Sequence, residues 1–297
     1  MTTHYDLIAR NKSCSALAVA IFLGLIGALA YWLVENDFIT WSVFGIVLIA
    51  SGAWSFISYF FSDKMILANA QATPANRQDH FDFFTVTENL AQTAQIPMPK
   101  LYVMNDPAPN AFATGRDPQH AVVCATTGLL AKLNRHQLEG VVAHELSHIR
   151  HYDILLSSLI AILAGALVMV LNNIYRFSGG RRSRDSDNGS GAAQLILLLL
   201  ILLAPLLLNL FQLMLSRRRE YYADAGSAEL TQNPKGLIEA LKILSEDKTQ
   251  LQHVSQATAD LYIVDPQKKK SWADRVGQLF ASHPPIEDRI AVLQKLI

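Results

Sequence analysis

Cysteine is nearly missing from this chain of 297 residues: only Cys14, at the start of an apolar run, and Cys124, in a strand-like stretch, are present. That scarcity argues against a disulfide framework and against a cysteine-based metal site. Charge is scarce too, at 17% against 51% hydrophobic residues, with Lys+Arg and Asp+Glu equal at 25 each. A net charge of zero gives no overall sign of nucleic acid or of an acidic partner. So greasy a composition exceeds what two ordinary soluble domains carry and points to a membrane protein.

Four runs, Ser15–Val34, Trp41–Phe61, Ile154–Ile174 and Leu195–Leu215, reach the length of about 20 helical residues that crosses a hydrocarbon core. None contains Asp, Glu, Lys, Arg or His. Ion and proton paths need ionisable groups inside the spans, so a transporter is disfavoured and the spans read as anchors. Arg10 and Lys12 before a core ending in Ala28-Leu-Ala30 also resemble a cleavable signal peptide. The run continues through Tyr31-Trp-Leu-Val34, with its interfacial aromatics, and that favours an anchor. Arg10 and Lys12 precede the first span while Glu35–Thr40 carries no cation, which places the N-terminus in the cytoplasm. Arg176, Arg181, Arg182 and Arg184 in the loop of the second hairpin are balanced by Arg150 and Arg217–Arg219, so that hairpin gives no clear vote.

Outside the membrane the pattern is that of a mainly α fold with a small sheet. Gln78–Gln95 reads as an amphipathic helix with Phe81, Phe84, Leu90 and Ala94 near one face, ended by Pro97 and Pro99. Lys100–Met104, Asn110–Gly115 and Ala121–Thr126 read as short strands. Asn134 with Gln137 forms a capping-box signature opening the next helix. The Gly-, Ser- and Arg-rich 177–191 reads as a loop, Arg217–Glu229 and Pro234–Ser245 as helices, the second capped by Asn233, and the chain from about Pro285 to its end as another. Thr249–Ser271 has no clean period. The expected units are an N-terminal membrane hairpin (1–61), the first part of a catalytic domain (62–153), a second membrane hairpin (154–215) and the second part of that domain (216–297).

Chemistry enters with His144-Glu-Leu-Ser-His148. Two histidines four apart on a helix project from one face, the geometry that holds one Zn²⁺, and Glu145 between them is placed to act as general base on the attacking water. The bare pattern also arises by chance as a helix with two surface histidines. A catalytic zinc needs a third protein ligand. Position 154 is Ile154, which rules out a third histidine six residues on, and His151 sits too far along the axis from His144. Glu220 and Asp224, also four apart, offer the alternative: Glu220 as ligand and Asp224 as acceptor from the far nitrogen of a ligand histidine. A charged helix start is the bland reading. His148 lies just before the third span and Glu220 just after the fourth, so an antiparallel pair of spans returns Glu220 to the side of the histidines.

Together with Tyr5-Asp-Leu-Ile-Ala-Arg-Asn-Lys12, Pro109-Asn-Ala-Phe-Ala-Thr-Gly115 and Ser282-His-Pro-Pro285, these features make the chain resemble the HtpX family of bacterial membrane zinc proteases, and more distantly the CAAX-prenyl protease Ste24. The resemblance implies four transmembrane helices carrying a zincin-type (gluzincin) α+β catalytic domain. It also implies one Zn²⁺ per subunit on His144, His148 and Glu220, and an active site on the cytoplasmic side of the inner membrane. The implied role is cleavage of misfolded or damaged membrane proteins under stress. Expected partners are polypeptide substrates, the lipid bilayer, and further copies of the chain or other quality-control proteases, with no nucleic acid.

Two loop and helix residues complete the expected site. His283, held by Pro284-Pro285, is a candidate oxyanion donor, the alternative being a cap that silences the metal, and Arg289 is a weaker donor. Asn110, Ala111, Phe112 and Ala113 are the candidate substrate edge, to which a peptide adds through main-chain hydrogen bonds; the bland reading is a core strand. Competing functions are a catalytically silent scaffold stiffened by zinc, against which Glu145 speaks, and a prenyl-peptide protease, whose chamber four spans are too few to enclose.

Overall fold

The computed structural model describes residues 4–35, 40–163, 165–166, 217–252, 261–264 and 284–297. Two long apolar helices come first, α1 (His4–Glu35) and α2 (Trp41–Asn69), each long and apolar enough to cross a bilayer. α1 is already helical at His4, so Tyr5–Lys12 stands on the same rod as the apolar run. α2 does not stop at Phe61: φ −120° and ψ 16° there kink it, and it runs on to Asn69. The boundary expected between 61 and 62 falls at this kink. Trp41, Ile46, Ile49 and Phe56 are exposed along α2, the arrangement of a face turned to lipid. Ser55 and Ser58 are buried, and their hydroxyls bond back to the carbonyls of Ser51 and Trp54, which satisfies them where no water is at hand. Beyond the kink Ile66, Leu67 and Ala70 pack against Met104, Phe112 and Tyr262, locking the helix into the body.

Four short strands form one sheet in the order β1-β2-β4-β3: β1 (Thr73–Pro74), β2 (Lys100–Met104), β3 (Ala111–Thr114) and β4 (Val122–Thr126). β2 and β4 run parallel, and β3 pairs antiparallel with β4, Phe112 opposite Cys124. The expected strand Lys100–Met104 appears with its expected bounds, Asn110–Gly115 is trimmed by a residue at each end, and Ala121–Thr126 by one at its start. β1 was not legible, because two residues including a proline carry no period, and proline suits the outermost position it takes.

Between β1 and β2, α3 (Phe81–Thr93) buries Phe83, Val86, Leu90 and Ala91, while Phe81 is exposed. The inward stripe thus starts at Phe83 rather than at the expected Phe81, because 83, 86/87, 90/91 and 94 follow the helical period more closely. After α4 (Thr127–Lys132) comes α5 (Arg135–Arg150). Its capping box is complete: Asn134 Oδ1 accepts from Gln137 N and Gln137 Oε1 from Asn134 N, both at 3.0 Å. α6 (Asp153–Leu163) begins where the third span was expected, and Leu156, Ile160 and Leu163 pack on Ala18 and Phe22 of α1. Apart from residues 165–166, the rest of that span, the loop 177–191 and the run Leu195–Leu215 lie outside the described residues. α7 (Arg218–Thr231), α8 (Pro234–Glu246), with Asn233 as its cap, and α9 (Ile286–Gln294) complete the body. Cys14 and Cys124 are both free.

α5 is the central element, buried along Val141, Val142, Ala143, Leu146 and Ile149. Two glycines set how closely its neighbours approach. A Cβ on Gly226 of α7 would sit 2.3 Å from Ser147 Oγ, and one on Gly140 of α5 would sit 2.4 Å from Leu237 N of α8. The first contact is with a side chain, the second with backbone that cannot swing away. Gly140→Ala is therefore expected to destabilise the protein by about 1–3 kcal/mol through overpacking, measured by unfolding in detergent. An unchanged midpoint would mean that α5 and α8 have room the packing does not show.

Candidate active site

α5 places His144 and His148 on one face, and α7 places Glu220 opposite them. His144 Nε2 lies 3.2 Å from His148 Nε2 and 3.6 Å from Glu220 Oε2; His148 Nε2 lies 3.7 Å from Glu220 Oε1. Zinc bonds of about 2.0–2.2 Å in a tetrahedron separate neighbouring donors by about 3.4 Å, so this triangle has the size of a metal site. Among the described residues these three form the one cluster of metal-ligating type, within 4.8 Å of one another.

The far nitrogens of both rings are spoken for. His144 Nδ1 donates to Asp224 Oδ1 at 3.0 Å, and His148 Nδ1 donates to Asp153 Oδ2 at 2.9 Å. With both Nδ1 protonated, both Nε2 lone pairs point inward at each other and at a carboxylate. Such convergence asks for a positive charge. Burial pulls the His144 pKa down, yet the hydrogen bonds to Asp224 and Glu220 outweigh it and push it up to about 9. A cation among these donors meets the same demand, which is the sense in which the residues fit a metal.

Behind them lies a buried Arg289. Its Nε and Nη2 donate to Asp224 Oδ2 and Oδ1 at 2.9 and 2.7 Å, its Nη1 donates to the Ile263 carbonyl at 3.0 Å, and Nη1 is 3.6 Å from Glu220 Oε2. Burial favours neutral Asp224, but the Arg289 charge beside it holds its carboxyl below the usual range. Glu145, 2% exposed, lines the same small cavity as His144, His148 and Glu220, and burial raises its pKa, the direction a proton-accepting carboxylate needs. His283 lies outside the described residues.

A sequence model described as "Peptidase family M48" matches residues 80–297, which takes in every residue of this cluster. The chain belongs to this family. It is similar to the "Protease HtpX homolog" of Streptococcus uberis (43% identical, 98% of this chain and 99% of that one). Likewise it is 40% identical to the "Protease HtpX homolog" of Thermoanaerobacter pseudethanolicus, over 99% of this chain and 98% of that one. The crystal structure of S. mikatae Ste24p overlaps it with a TM-score of 0.49 at 18% identity, covering 94% of this chain and 62% of that one. The protein is thus a metalloprotease of family M48, and its two long apolar helices fit a membrane enzyme.

In this M48 peptidase the outer edge of the sheet is already engaged. β3 bonds to β4 through alternate residues, so the main-chain groups of Ala111 and Ala113 face outward. Ile263 N donates to the Ala111 carbonyl at 3.0 Å, and Asn110 Nδ2 donates to the Val264 carbonyl at 2.9 Å. Tyr262, 2% exposed, stacks edge-on against Phe112 at 5.1 Å. Leu261, Tyr262 and Ile263 line the cavity together with Ala113, His144 and Glu145. Sequence reasoning missed this segment because a few residues with no period give no signal. It also missed Asp153, although a carboxylate five residues past the second histidine, at the very lip of an apolar run, was a signal available to it.

Arg289, expected as a weaker transition-state donor, makes two hydrogen bonds to Asp224 here. Arg289→Met would leave the Asp224 carboxylate buried without its partner, so we expect a loss of about 3–5 kcal/mol in unfolding stability. Unaltered stability with a reduced kcat would return Arg289 to the donor role.

Proposed function

We propose that the protein is a zinc endopeptidase of the bacterial inner membrane that cuts misfolded or damaged membrane proteins on the cytoplasmic side. The observation that carries this reading is the buried triangle of His144, His148 and Glu220 with Glu145 beside it. Two imidazoles and one carboxylate on three of four tetrahedral positions are the donor set of a hydrolytic zinc, with the fourth left for water or substrate. When bound, the ion supplies Lewis acidity, lowering the pKa of a water and polarising the scissile carbonyl. Glu145 takes the proton of the attacking water and returns it to the leaving amine. Asp224 and Asp153 hold the two imidazoles in the tautomer that offers Nε2. His283, on the chain just before Pro284-Pro285, is our candidate for the extra donor to the oxyanion.

The spans support the remainder of the reading. Arg10 and Lys12 at the start of α1 favour a cytoplasmic N-terminus, and the catalytic body follows α2 on that same side. A second hairpin built from Ile154–Ile174 and Leu195–Leu215 would bring the total to four spans and carry the chain back to Glu220. The fold then reads as a zincin-type body on a four-helix membrane base.

Substrate is proposed to lie along β3, where an extended peptide bonds to the outward groups of Ala111 and Ala113 and passes beside Glu145. Main-chain pairing gives grip with little sequence preference, which suits a quality-control enzyme. Leu261–Val264 must leave that edge first.

Protein purified in detergent tests both parts. Chelation should abolish cleavage of an unfolded membrane polypeptide and added Zn²⁺ restore it, while Glu145→Gln lowers kcat by about 10²–10⁴-fold. Cleavage that survives both treatments would end the zinc reading. Ile263→Pro removes the donor to Ala111 and should raise kcat/KM about fivefold, the equivalent of one net hydrogen bond of about 1 kcal/mol. A rate that falls with no loss of stability would show that peptide binds elsewhere.

A further inference from the structure

The N-terminal membrane helix reaches the metal site. On α1, Asn11 Nδ2 donates to Asp153 Oδ1 at 2.5 Å and to the His151 carbonyl at 2.9 Å. The other oxygen of the same carboxylate, Asp153 Oδ2, receives the Nδ1 proton of His148. An unbroken chain of hydrogen bonds therefore runs from a transmembrane helix to a ligand ring: Asn11, Asp153, His148. The sequence places the two ends 137 positions apart by number, so nothing local produces the contact.

The join between α5 and α6 explains why a clamp is needed there. α5 stops at His151, Tyr152 takes the left-handed conformation at φ 62°, and α6 starts at Asp153. A tyrosine in that conformation is strained, and the turn it makes carries the one carboxylate that orients His148. Asn11 ties both sides of the turn, the last carbonyl of α5 and the first side chain of α6. One residue further along α1, Lys12 Nζ sits 4.3 Å above the Tyr152 ring. Ser15 Oγ in turn bonds to the Asn11 carbonyl at 2.8 Å. Asp153 is 4% exposed, so water is poorly placed to replace the amide donor.

We propose that Asn11 is a positioning residue for the metal: by fixing Asp153 it sets the orientation of His148, so that metal binding depends on α1 being docked. This rests on His144, His148 and Glu220 being the metal site. Asparagine suits the task because its amide donates two hydrogen bonds at once and adds no charge to a carboxylate already serving a ligand. Residues that orient a ligand in this way typically govern metal affinity by 10–100-fold, roughly, without touching the ion.

The test uses the full-length protein in detergent, with Zn²⁺ affinity measured by competition against a chromogenic chelator and the visible spectrum of the Co²⁺-loaded protein recorded alongside. His148→Ala should abolish stoichiometric binding; if it does not, the metal-site reading fails, independently of Asn11. With that control in place, Asn11→Ala should weaken Zn²⁺ binding by about 10–100-fold and shift the Co²⁺ bands. In an Asp153→Ala background the same substitution should change affinity by less than about twofold, because Asn11 acts through that carboxylate. Equal losses in both backgrounds, or wild-type affinity in Asn11→Ala, would overturn the proposal. Should Asn11→Ala fail to yield folded protein, Asn11→Leu keeps roughly the volume and removes the amide donors without adding a charge beside Asp153, and it carries the same expectations.

Discussion

The approach of α7 to α5 is the constraint on which the rest of this structure depends. Gly226 lets α7 lie against Ser147, and Ser227 Oγ bonds to the Gly140 carbonyl at 2.7 Å, so two helices nearly 70 positions apart by number meet with almost nothing between them. That contact drives an acidic face onto a histidine face in a largely buried place. Three electron-rich atoms are left pointing at one another. Left uncompensated, such an arrangement is among the costliest a protein interior can hold. Everything around it answers that cost: Asp224 and Asp153 fix the rings, Arg289 balances Asp224, and a cation at the centre would balance the donors themselves.

The same logic ties the catalytic body to its membrane helices. α2 continues past its kink at Phe61 from the apolar region into the body, where Ile66 and Leu67 join a cluster with Phe112 of the edge strand. α6 starts on the residue that orients His148 and continues into an apolar helix packed on α1. Both helices thus meet the site or the strand beside it. An anchor that merely tethered the enzyme would have no need of such contacts.

Much of the site was legible because its parts follow periods a sequence displays. His144 and His148, and Glu220 and Asp224, are spaced one helical turn apart, and the Asn134–Gln137 box marks the helix that carries the first pair. Three of the four strands were visible as apolar runs between turn residues, and the apolar stretches of α1 and α2 as long runs without charge. What was hidden depends on contacts between distant segments. The Asn11 to Asp153 bond joins two helices, and the clamp of Arg289 on Asp224 joins two more, with no local pattern to announce either. Phe81 was misread for a related reason: near a helix start, one turn of pattern does not fix which of two adjacent faces will be buried.

The segment on β3 follows from a conflict between two requirements. A strand edge that grips any extended peptide by its main chain also pairs with neighbouring chains, and natural proteins blunt such edges. Here Ile263 and Val264 cover it, and Tyr262 anchors the cover against Phe112. Because the cover uses the same kind of hydrogen bond as the substrate proposed for that edge, the two compete on nearly equal terms. Apparent affinity is then the intrinsic one reduced by the fraction of molecules whose edge is open. Long unfolded segments, which offer many registers for pairing, gain most from that competition, whereas folded proteins with no free extended segment gain nothing. Selectivity for damaged chains can therefore come from the edge itself, with no pocket that reads a side chain.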